Sequence, residues 1–468
     1  MVPARGTPPF VNWDRYLLGK GHSSYNQAAV AITTGNAEDL TPAWTWFPDA
    51  TDGDAPRSPI RNGPLDASPT VHDGTIYIGT TTGYLYALDE SHGTVEWKRD
   101  MGYSVPCPIR PVAMGLSDTA TVATDPTSSQ TAIYLQSGPG GEFALAGDPD
   151  DVAGSDGGVY LNALTPSGAL LWRVNVTHEA GSYAWSSPVV TGGHVYVGIG
   201  SFADCPLVRG GIREFDQHTG TLVHTYWATP VGTVGASVWT TPVTDGTNLW
   251  VTLGNGRHGD SYAIVRLSSD LKKMESWTPP DVHRTDDDFG GSPILFSTTG
   301  SGLGPVPLVG ACDKNGYFYA FRRLDLRAGP YWTRRVSENS NDGRCLVGAV
   351  WNAPRRQLLV GGPRTRVGDT TYPGSIRRLD PATGKIVWQR GLPGRVIGTP
   401  TMDGSNVLAV ATYEFASATN VFSLRNATTG GELETYDDLP GTKEFAQPVF
   451  ADTYLFRTLE DRIIAYAP

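Results

Sequence analysis

The sequence predicts an all-β protein, an eight-bladed β-propeller of four-stranded blades, from three observations. First, seven aromatic end-markers recur at positions 97, 172, 227, 277, 332, 388 and 436, and this spacing is typical of a four-stranded blade with variable loops. Second, Gly 56 and Pro 35 supply many turns, while 18% charged and 10% aromatic residues exclude a disordered chain or a coiled coil. Third, the two chain ends each carry part of one further blade.

The repeat is clearest over residues 74–97, GTIYIGTTTGYLYALDESHGTVEW. It reads as an alternating strand, a glycine turn, a second strand ending in Leu-Asp, another turn and Val-x-Trp. Six further copies follow, over 159–172, 194–227, 250–277, 307–332, 359–388 and 407–436. We expect the tryptophan that ends a copy to pack between adjacent blades rather than to bind a ligand.

Short segments of the type Ser/Thr/Gln-Pro-hydrophobic precede most copies and predict the innermost strands. Proline is tolerated at the first position of a strand, where it loses no ladder hydrogen bond. These segments are 68–71, 187–190, 241–244, 292–295, 399–402 and 447–450.

The last copy, over 445–467, stops after three strands, whereas residues 40–47, LTPAWTWF, form a strand with no blade before it. We therefore expect a composite blade from both termini to close the ring and leave no exposed sheet edge. The prediction is a single propeller over 1–468, with an N-terminal segment at 1–39, an outer strand at 40–47 and the blades at 67–467.

Charge and hydropathy exclude several partners. With 36 basic and 47 acidic residues the formal charge is −11 and no long basic run occurs, so nucleic-acid binding is disfavoured. No apolar stretch approaches 18 residues, so no membrane span is predicted. The first residues lack a signal-peptide core, which fits either a cytosolic protein or an exported one whose leader has been removed.

The four cysteines favour the exported alternative. Their number is even, no CxxC pair suggests zinc, and the sequons at Asn175 and Asn426 fit an extracytoplasmic or secreted protein with two disulfides. Buried free thiols are the alternative.

The unit YLYALDxxxGxxxW, at 84–97, resembles the repeat of the quinoprotein, or pyrroloquinoline quinone (PQQ)-binding-like, propeller superfamily. The segment NWDRYLLGKGHSSYNQ at 12–27, followed by AWTW at 43–46, is similar to the opening of its dehydrogenases. The superfamily contains PQQ-dependent methanol, ethanol and polyvinyl-alcohol dehydrogenases and also non-catalytic scaffolds of bacterial outer-membrane assembly. In the dehydrogenases, PQQ lies on the central axis beside calcium or a lanthanide, with a carboxylate base.

The resemblance implies a catalytic pair. The stretch 283–291, HRTDDDFGG, is similar to the segment that carries the catalytic aspartate and assigns Asp288 as the base. Three adjacent carboxylates there require either a bound cation or a raised pKa. Asp313-Lys314-Asn315-Gly316 is similar to the turn whose basic residue reaches the quinone, so Lys314 would stabilise the reduced cofactor. A solvated acidic loop and an ordinary Asn-Gly turn are the structural alternatives.

Further cofactor and metal ligands are implied in the same way. Asn255, in Gly254-Asn255-Gly256, would supply an amide oxygen to calcium, together with Asp204 and Asp288. Asp66, Arg110 and Trp239 fall near cofactor-contacting positions of the dehydrogenases.

Three departures weigh against PQQ. Cys205 stands where the dehydrogenases have the calcium-binding glutamate, and a thiol is a poor ligand for a hard cation. Cys107 is single where they have an adjacent cysteine pair, so we expect the disulfides Cys107–Cys205 and Cys312–Cys345. Trp185 replaces a small hydroxyl residue and has the bulk to fill the place of the cofactor.

The leading functional prediction is an exported quinoprotein-like oxidoreductase, with Asp288 as base, that oxidises a small-molecule or polymer alcohol. The sequence has no CxxCH haem motif, so a separate electron acceptor would be needed. Two alternatives stay open: a non-catalytic binding or assembly platform, and a cofactor-free enzyme that uses the axial funnel.

Overall fold

The structure, a computed structural model, describes residues 10–49, 65–280, 286–299, 304–338, 344–413, 420–438 and 445–468. Eight sheets follow one another around a central axis, and the predicted eight-bladed propeller is confirmed. Within the described residues the helical element is one short 3-10 turn, Ala37–Asp39, and no helix there is long and apolar enough to cross a membrane.

Blades 1 to 4 each run from an inner strand at the axis to an outer strand at the rim. Their strands, in chain order, are Thr70–His72, Thr75–Gly79, Tyr84–Asp89 and Val95–Asp100 for blade 1; Thr121–Thr124, Thr131–Ser137, Gly157–Leu164 and Leu170–Ala180 for blade 2; Val189–Thr191, His194–Ser201, Gly211–Asp216 and Leu222–Trp227 for blade 3, which Ser182–Tyr183 extends; and Val243–Thr244, Asn248–Thr252, Ile264–Ser268 and Lys273–Trp277 for blade 4.

Blades 5 to 8 have the same order of strands. They are Ile294–Thr299, Pro305–Cys312, Tyr317–Arg322 and Trp332–Arg335 for blade 5; Ala349–Asn352, Gln357–Gly362, Gly374–Leu379 and Ile386–Leu392 for blade 6, with an added hairpin of Thr365–Val367 and Thr370–Tyr372; Thr401–Asp403, Val407–Ala411, Asn420–Asn426 and Glu432–Asp438 for blade 7, which Tyr25–Asn26 extends; and Val449–Ala451, Tyr454–Leu459, Arg462–Ala467 and Thr41–Trp46 for blade 8.

Blade 8 is the predicted composite blade. Strand Thr41–Trp46 pairs antiparallel with Arg462–Ala467, with Trp46 opposite Ile463. The N-terminal strand thus supplies the outer strand that the last repeat lacks. Closure by side-by-side pairing leaves neither chain end as an open sheet edge inside the ring.

The innermost strands begin slightly later than the sequence pattern suggests. The strand predicted at 68–71 is Thr70–His72, because Ser68 and Pro69 form the approach to the strand and not its start. Blades 2 and 6 have inner strands, Thr121–Thr124 and Ala349–Asn352, that no Ser-Pro signal precedes. The Ser-Pro pattern therefore does not predict these two strands, although the spacing of the blades requires them.

Outer-strand tryptophans dock five of the blades onto the next, as predicted for the tryptophans that end a copy. The Trp332 indole N–H donates to the Pro381 carbonyl at 3.0 Å, and a Cβ on Gly384 would lie 2.4 Å from the ring. A left-handed glycine, at φ 65° for Gly384, provides this flat contact. The same pairing occurs at Trp44/Gly93, Trp97/Gly168, Trp172/Gly220 and Trp388/Gly430.

Residues 11–26, which we call the closing coil, encircle the axis at one end of the propeller. The coil is bonded in turn to the inner strands of all eight blades: Trp13 to Val71, Asp14 to Val122, Arg15 to Val190, Lys20 to Thr244, Gly21 to Leu295, Ser23 to Trp351, Ser24 to Met402 and Asn26 to Phe450. These bonds satisfy backbone groups that would otherwise end at the axis. No sequence pattern predicted this ring of contacts.

Candidate active site

A cavity of about 860 Å³ lies on the propeller axis, a volume within the range of ordinary ligand sites. Its wall combines hydroxyl residues with charged and aromatic side chains. Six of the residues singled out in the sequence line it: Asp66, Asp204, Trp239, Asn255, Asp288 and Lys314. Arg110 does not line the cavity; it is exposed, and its backbone N–H is bonded to the Cys107 carbonyl.

Asp288 is held rigidly in the loop that leads to the inner strand of blade 5. The N–H groups of Gly290 and Gly291 both donate to the Cys312 carbonyl. A Cβ on Gly290 would lie 2.1 Å from the Cys345 carbonyl oxygen, so only glycine fits. The backbone after Asp288 is therefore clamped between blades 5 and 6. Residues 283–285 of the predicted acidic stretch lie outside the described residues.

The Asp288 carboxylate is buried and engaged on both oxygens. Oδ1 accepts a bond from Lys314 Nζ at 2.6 Å, and Oδ2 accepts one from the Trp239 indole N–H at 2.9 Å. Burial, helped by the neighbouring Asp286, raises the pKa of Asp288 to about 7 against the opposing charge of Lys314. The carboxylate is thus poised to exchange a proton near neutral pH.

Lys314 projects from the tight turn after the second strand of blade 5. The turn closes on Gly316 at φ 93°, and the Lys314 backbone N–H donates to the Asp288 carbonyl at 3.0 Å. The ammonium contacts Asp286 at 2.5 Å as well as Asp288, and lies 4.7 Å above the Trp239 ring. Although burial opposes it, the two carboxylates raise the pKa of Lys314, so it stays charged.

Asp286 is a site residue that the sequence analysis did not select. It has φ 98°, which is unusual for a non-glycine residue, and this turn directs its carboxylate towards Lys314. Asn255 Nδ2 donates to it at 3.0 Å, and Arg344 forms an ion pair with it. Burial raises its pKa, but Lys314 and Asn255 outweigh burial and lower it. The run of three aspartates in the sequence indicated a site, but it did not show which of the three would contact Lys314 and Asn255.

Asp204 and Asn255 lie side by side on the wall formed by blades 3 and 4. Asn255 Nδ2 donates to Asp204 Oδ2 at 2.8 Å, and the left-handed backbone of Asp204, φ 57°, supports this approach. A side chain on Gly256 would collide with Ser261, which keeps the Asn255 turn close to the wall. Asp286 is the second carboxylate that accepts a bond from Asn255, whereas the place of Asp288 in a metal site stays a prediction.

The Asn255 side chain fits a cation between these carboxylates. Its Oδ1 is buried, and no described residue donates to it. The oxygen and nitrogen of an amide are assigned from their partners, and a cation would turn the oxygen towards the two acids. Two carboxylates and one amide oxygen form the donor set that hard cations such as calcium prefer.

Both expected disulfides are present, and neither closes the cavity. Cys107 is bonded to Cys205, and Cys312 to Cys345. Trp185 lies against the wall, stacked on Phe202 at 5.8 Å with an interplanar angle of 8°. Its indole N–H donates to the Ser201 carbonyl. Trp185 lines the axial cavity, which stays open beside it.

The fold is an eight-bladed propeller whose axial cavity is lined by the contacting pair Asp288 and Lys314. Residues 13–256, more than half of the chain, match the family profile of the glucose/ethanol/alcohol dehydrogenase β-propeller domain, and the chain belongs to this PQQ propeller family. Residues 330–456 match a second profile, that of the outer membrane protein assembly factor BamB.

Known proteins of this kind share low identity with the chain. Polyvinylalcohol dehydrogenase of a Pseudomonas species is 24% identical over 394 residues, which is 73% of this chain and 56% of that protein, so the match spans little more than half of the relative. The quinohemoprotein alcohol dehydrogenase of Comamonas testosteroni superposes with a TM-score of 0.71 at 16% identity, covering 98% of this chain and 80% of that one. A europium-containing methanol dehydrogenase gives 0.70 at 14% identity, with 98% of both chains covered. These superpositions show the fold.

Proposed function

We propose that this chain is a PQQ-dependent enzyme that oxidises an alcohol, with Asp288 as the general base. The single observation that carries the proposal is the buried Asp288 carboxylate in the axial cavity, with a pKa raised by burial to about 7 and bonds from Lys314 and Trp239. A base with such a pKa is suited to remove a hydroxyl proton near neutral pH. The two disulfides support a place outside the reducing cytoplasm.

The cavity offers suitable groups for the cofactor and its metal. Lys314 and Trp239 would hold PQQ from the blade 4 and blade 5 side, and Asp66 from blade 1 lines the same space. Asp204 and Asn255, joined by Asp286, would hold calcium. When bound, PQQ supplies the acceptor for the two electrons that leave the alcohol carbon.

The protein's own part is proton transfer and orientation. Asp288 takes the alcohol proton at a carboxylate oxygen, while the Trp239 N–H fixes the position of Oδ2. Lys314 supplies a positive charge 2.6 Å from Oδ1 and favours the ionised base. Because the sequence lacks a CxxCH motif, the proposal includes a separate electron acceptor.

Dye reduction by the purified protein tests the proposal. With PQQ, calcium and a primary or secondary alcohol, we expect alcohol-dependent reduction of an artificial acceptor. Asp288→Asn should lower turnover by roughly 10²–10⁴-fold, the usual contribution of a general base. Asp287→Asn is the matched control, since it removes a neighbouring carboxylate that does not line the cavity. A wild-type protein that binds PQQ and calcium but reduces no dye with any alcohol would refute the proposed alcohol oxidation.

A non-catalytic platform is the second candidate, and the BamB match over residues 330–456 favours it. Cys205, which is locked in a disulfide, also stands where the dehydrogenases have a calcium-binding glutamate, so that ligand is missing here. This alternative predicts a folded protein that binds neither PQQ nor calcium. Calorimetry therefore separates the two candidates without any assumption about the substrate.

A further inference from the structure

A belt of hydroxyl groups surrounds the axis where the inner strands begin. At an equivalent position in six of the eight blades, the backbone N–H donates to the hydroxyl of the next blade, whereas Gly348 of blade 6 and Gln447 of blade 8 have no hydroxyl to accept such a bond. The links are Ser68 to Thr119, Thr119 to Ser187, Ser187 to Thr241, Thr241 to Ser292, Gly348 to Thr399, and Gln447 to Ser68. Five of these residues, Ser68, Thr119, Ser187, Thr241 and Ser292, line the axial cavity.

The belt has a gap at blade 6, and the closing coil reaches into it. Gly348 has no hydroxyl to accept a bond from Ser292. A Cβ on Gly348 would lie 3.2 Å from both Leu17 Cδ1 and Thr399 Oγ1, so glycine makes room for the coil. Burial raises the pKa of Tyr16, the residue before Leu17, and the hydroxyls of Thr399 and Ser292 lower it, so the phenol lies beside blades 5 and 7. Tyr16 thus bridges blades 5 and 7 across the gap.

Tyr16 also lies between two spaces. Its side chain lines the axial cavity that contains Asp288, and it lines a small cavity on the coil side together with Gly19, Lys20 and His22. Thr241 is the other residue that the two spaces share. Since Thr241 is held in the belt, the phenol ring of Tyr16 is the larger part of the partition.

We propose that Tyr16 is the floor of the axial cavity and a specificity-determining residue, which limits how far an alcohol extends past the catalytic carboxylate. This inference rests on the proposed alcohol oxidation. A ring that separates the axial cavity from the coil-side space leaves substrates one mouth by which to enter and leave. The substrate class is then small alcohols, or the end or loop of a polymer presented at that mouth, and not a chain threaded through the ring.

Tyr16→Ala tests the floor in two ways, with Tyr16→Phe and Tyr25→Phe as controls. Activity is compared over a series of primary alcohols of increasing length. We expect the wild-type kcat/KM to fall beyond a certain alcohol length. Tyr16→Ala should raise the kcat/KM of the longer alcohols by roughly 10-fold or more, because each accommodated methylene contributes about that factor. Tyr16→Phe keeps the ring and should keep the wild-type profile. Tyr25 lies on the same coil and does not line the cavity.

Crystals of the cofactor-free protein soaked with a linear diol give a readout that needs no activity. The diol should stop at the Tyr16 ring in the wild type and pass it in Tyr16→Ala, where the axial and coil-side spaces merge. An unchanged length profile together with an unchanged diol position would overturn the inference. If neither protein oxidises any alcohol, the proposed function fails, while the diol position still decides whether Tyr16 is the floor. Should Tyr16→Ala fail to fold, Tyr16→Leu shortens the partition with less loss of packing.

Discussion

The chemistry of the cavity depends on three charged side chains in contact. Lys314 contacts both Asp286 and Asp288, yet burial leaves Asp288 with a pKa of about 7 while Asp286 stays ionised. Two carboxylates whose environments separate their pKa values can take different roles, one as a proton acceptor and the other as a fixed charge. In our proposal Asp288 is the base, and Asp286 helps to hold the metal.

The sequence could predict Asp288, Lys314 and Asn255 as residues of one site, because each lies in a short motif with a known counterpart. It could not predict Asp286 or Arg344. Their contact depends on a left-handed backbone at Asp286 and on a loop from blade 6, and neither leaves a local signal. Arg110 is the opposite case. Its sequence position is similar to a cofactor-contacting position of the dehydrogenases, but the residue is exposed here.

Titration of the metal-free protein should reveal the pKa of Asp288. Because the Trp239 N–H donates to Asp288, tryptophan fluorescence should change with pH around a midpoint of about 7. Lys314 lowers the pKa of Asp288 and Asp286 raises it, so Lys314→Met should move the midpoint up and Asp286→Asn should move it down. Asp288→Asn should abolish the transition. Movement of both variants in the same direction would contradict the assignment.

At the scale of elements, blade-to-blade contacts follow from the repeat itself. The tryptophan of one outer strand packs on the glycine turn of the next blade, so a sequence period is also a packing period. The strands and their order were predictable for this reason. The starts of the inner strands were less predictable, because the Ser-Pro segment marks the approach to the strand and blades 2 and 6 lack this segment.

Two glycines of blade 6 allow the stability cost of overpacking to be measured apart from the cost of backbone strain. Gly384 and Gly368 have similar positive φ values, 65° and 60°, but only Gly384 faces Trp332, whereas nothing lies within 4 Å of a Cβ on Gly368. Gly368→Ala should cost about 1 kcal/mol of unfolding free energy from the left-handed backbone. Gly384→Ala should cost about 3 kcal/mol, because overpacking adds to the strain. Urea denaturation measures both, and equal losses would contradict the docking role of Trp332.

The two disulfides should differ in their contribution to stability. Cys107 and Cys205 are 98 residues apart in sequence, and Cys312 and Cys345 are 33 apart. In the chain-entropy model, loops of these sizes contribute about 5 and about 4 kcal/mol respectively. Denaturation of the Cys107→Ala/Cys205→Ala and Cys312→Ala/Cys345→Ala double variants checks the order. A larger loss from the shorter loop would show that local strain or packing dominates.

For the whole molecule, ring closure is achieved twice. The composite blade 8 joins the two ends of the chain, and the closing coil binds the inner strands of all eight blades. The first device was predictable, since a missing strand and an unpaired strand complement each other. The second was not, because the coil has no repeat, and its partners, from Val71 to Phe450, are far apart in sequence.

The architecture leaves one axial cavity between the closing coil and the loops that carry Asp204, Asn255 and Asp288. We propose that this cavity binds PQQ together with calcium. Family membership and fold agree with it, while Cys205 and the BamB match make the opposite outcome a real alternative.

Calorimetric titration of PQQ into the protein, with and without calcium, tests this claim most directly. We predict one PQQ per chain and calcium-dependent binding, weakened at least 10-fold by Lys314→Met and by Asn255→Leu. Asp150→Asn, in the surface cluster of Asp148, Asp150 and His178, is the control for calcium bound elsewhere and should leave PQQ binding unchanged. A folded wild-type protein that binds no PQQ at any calcium concentration would contradict the account.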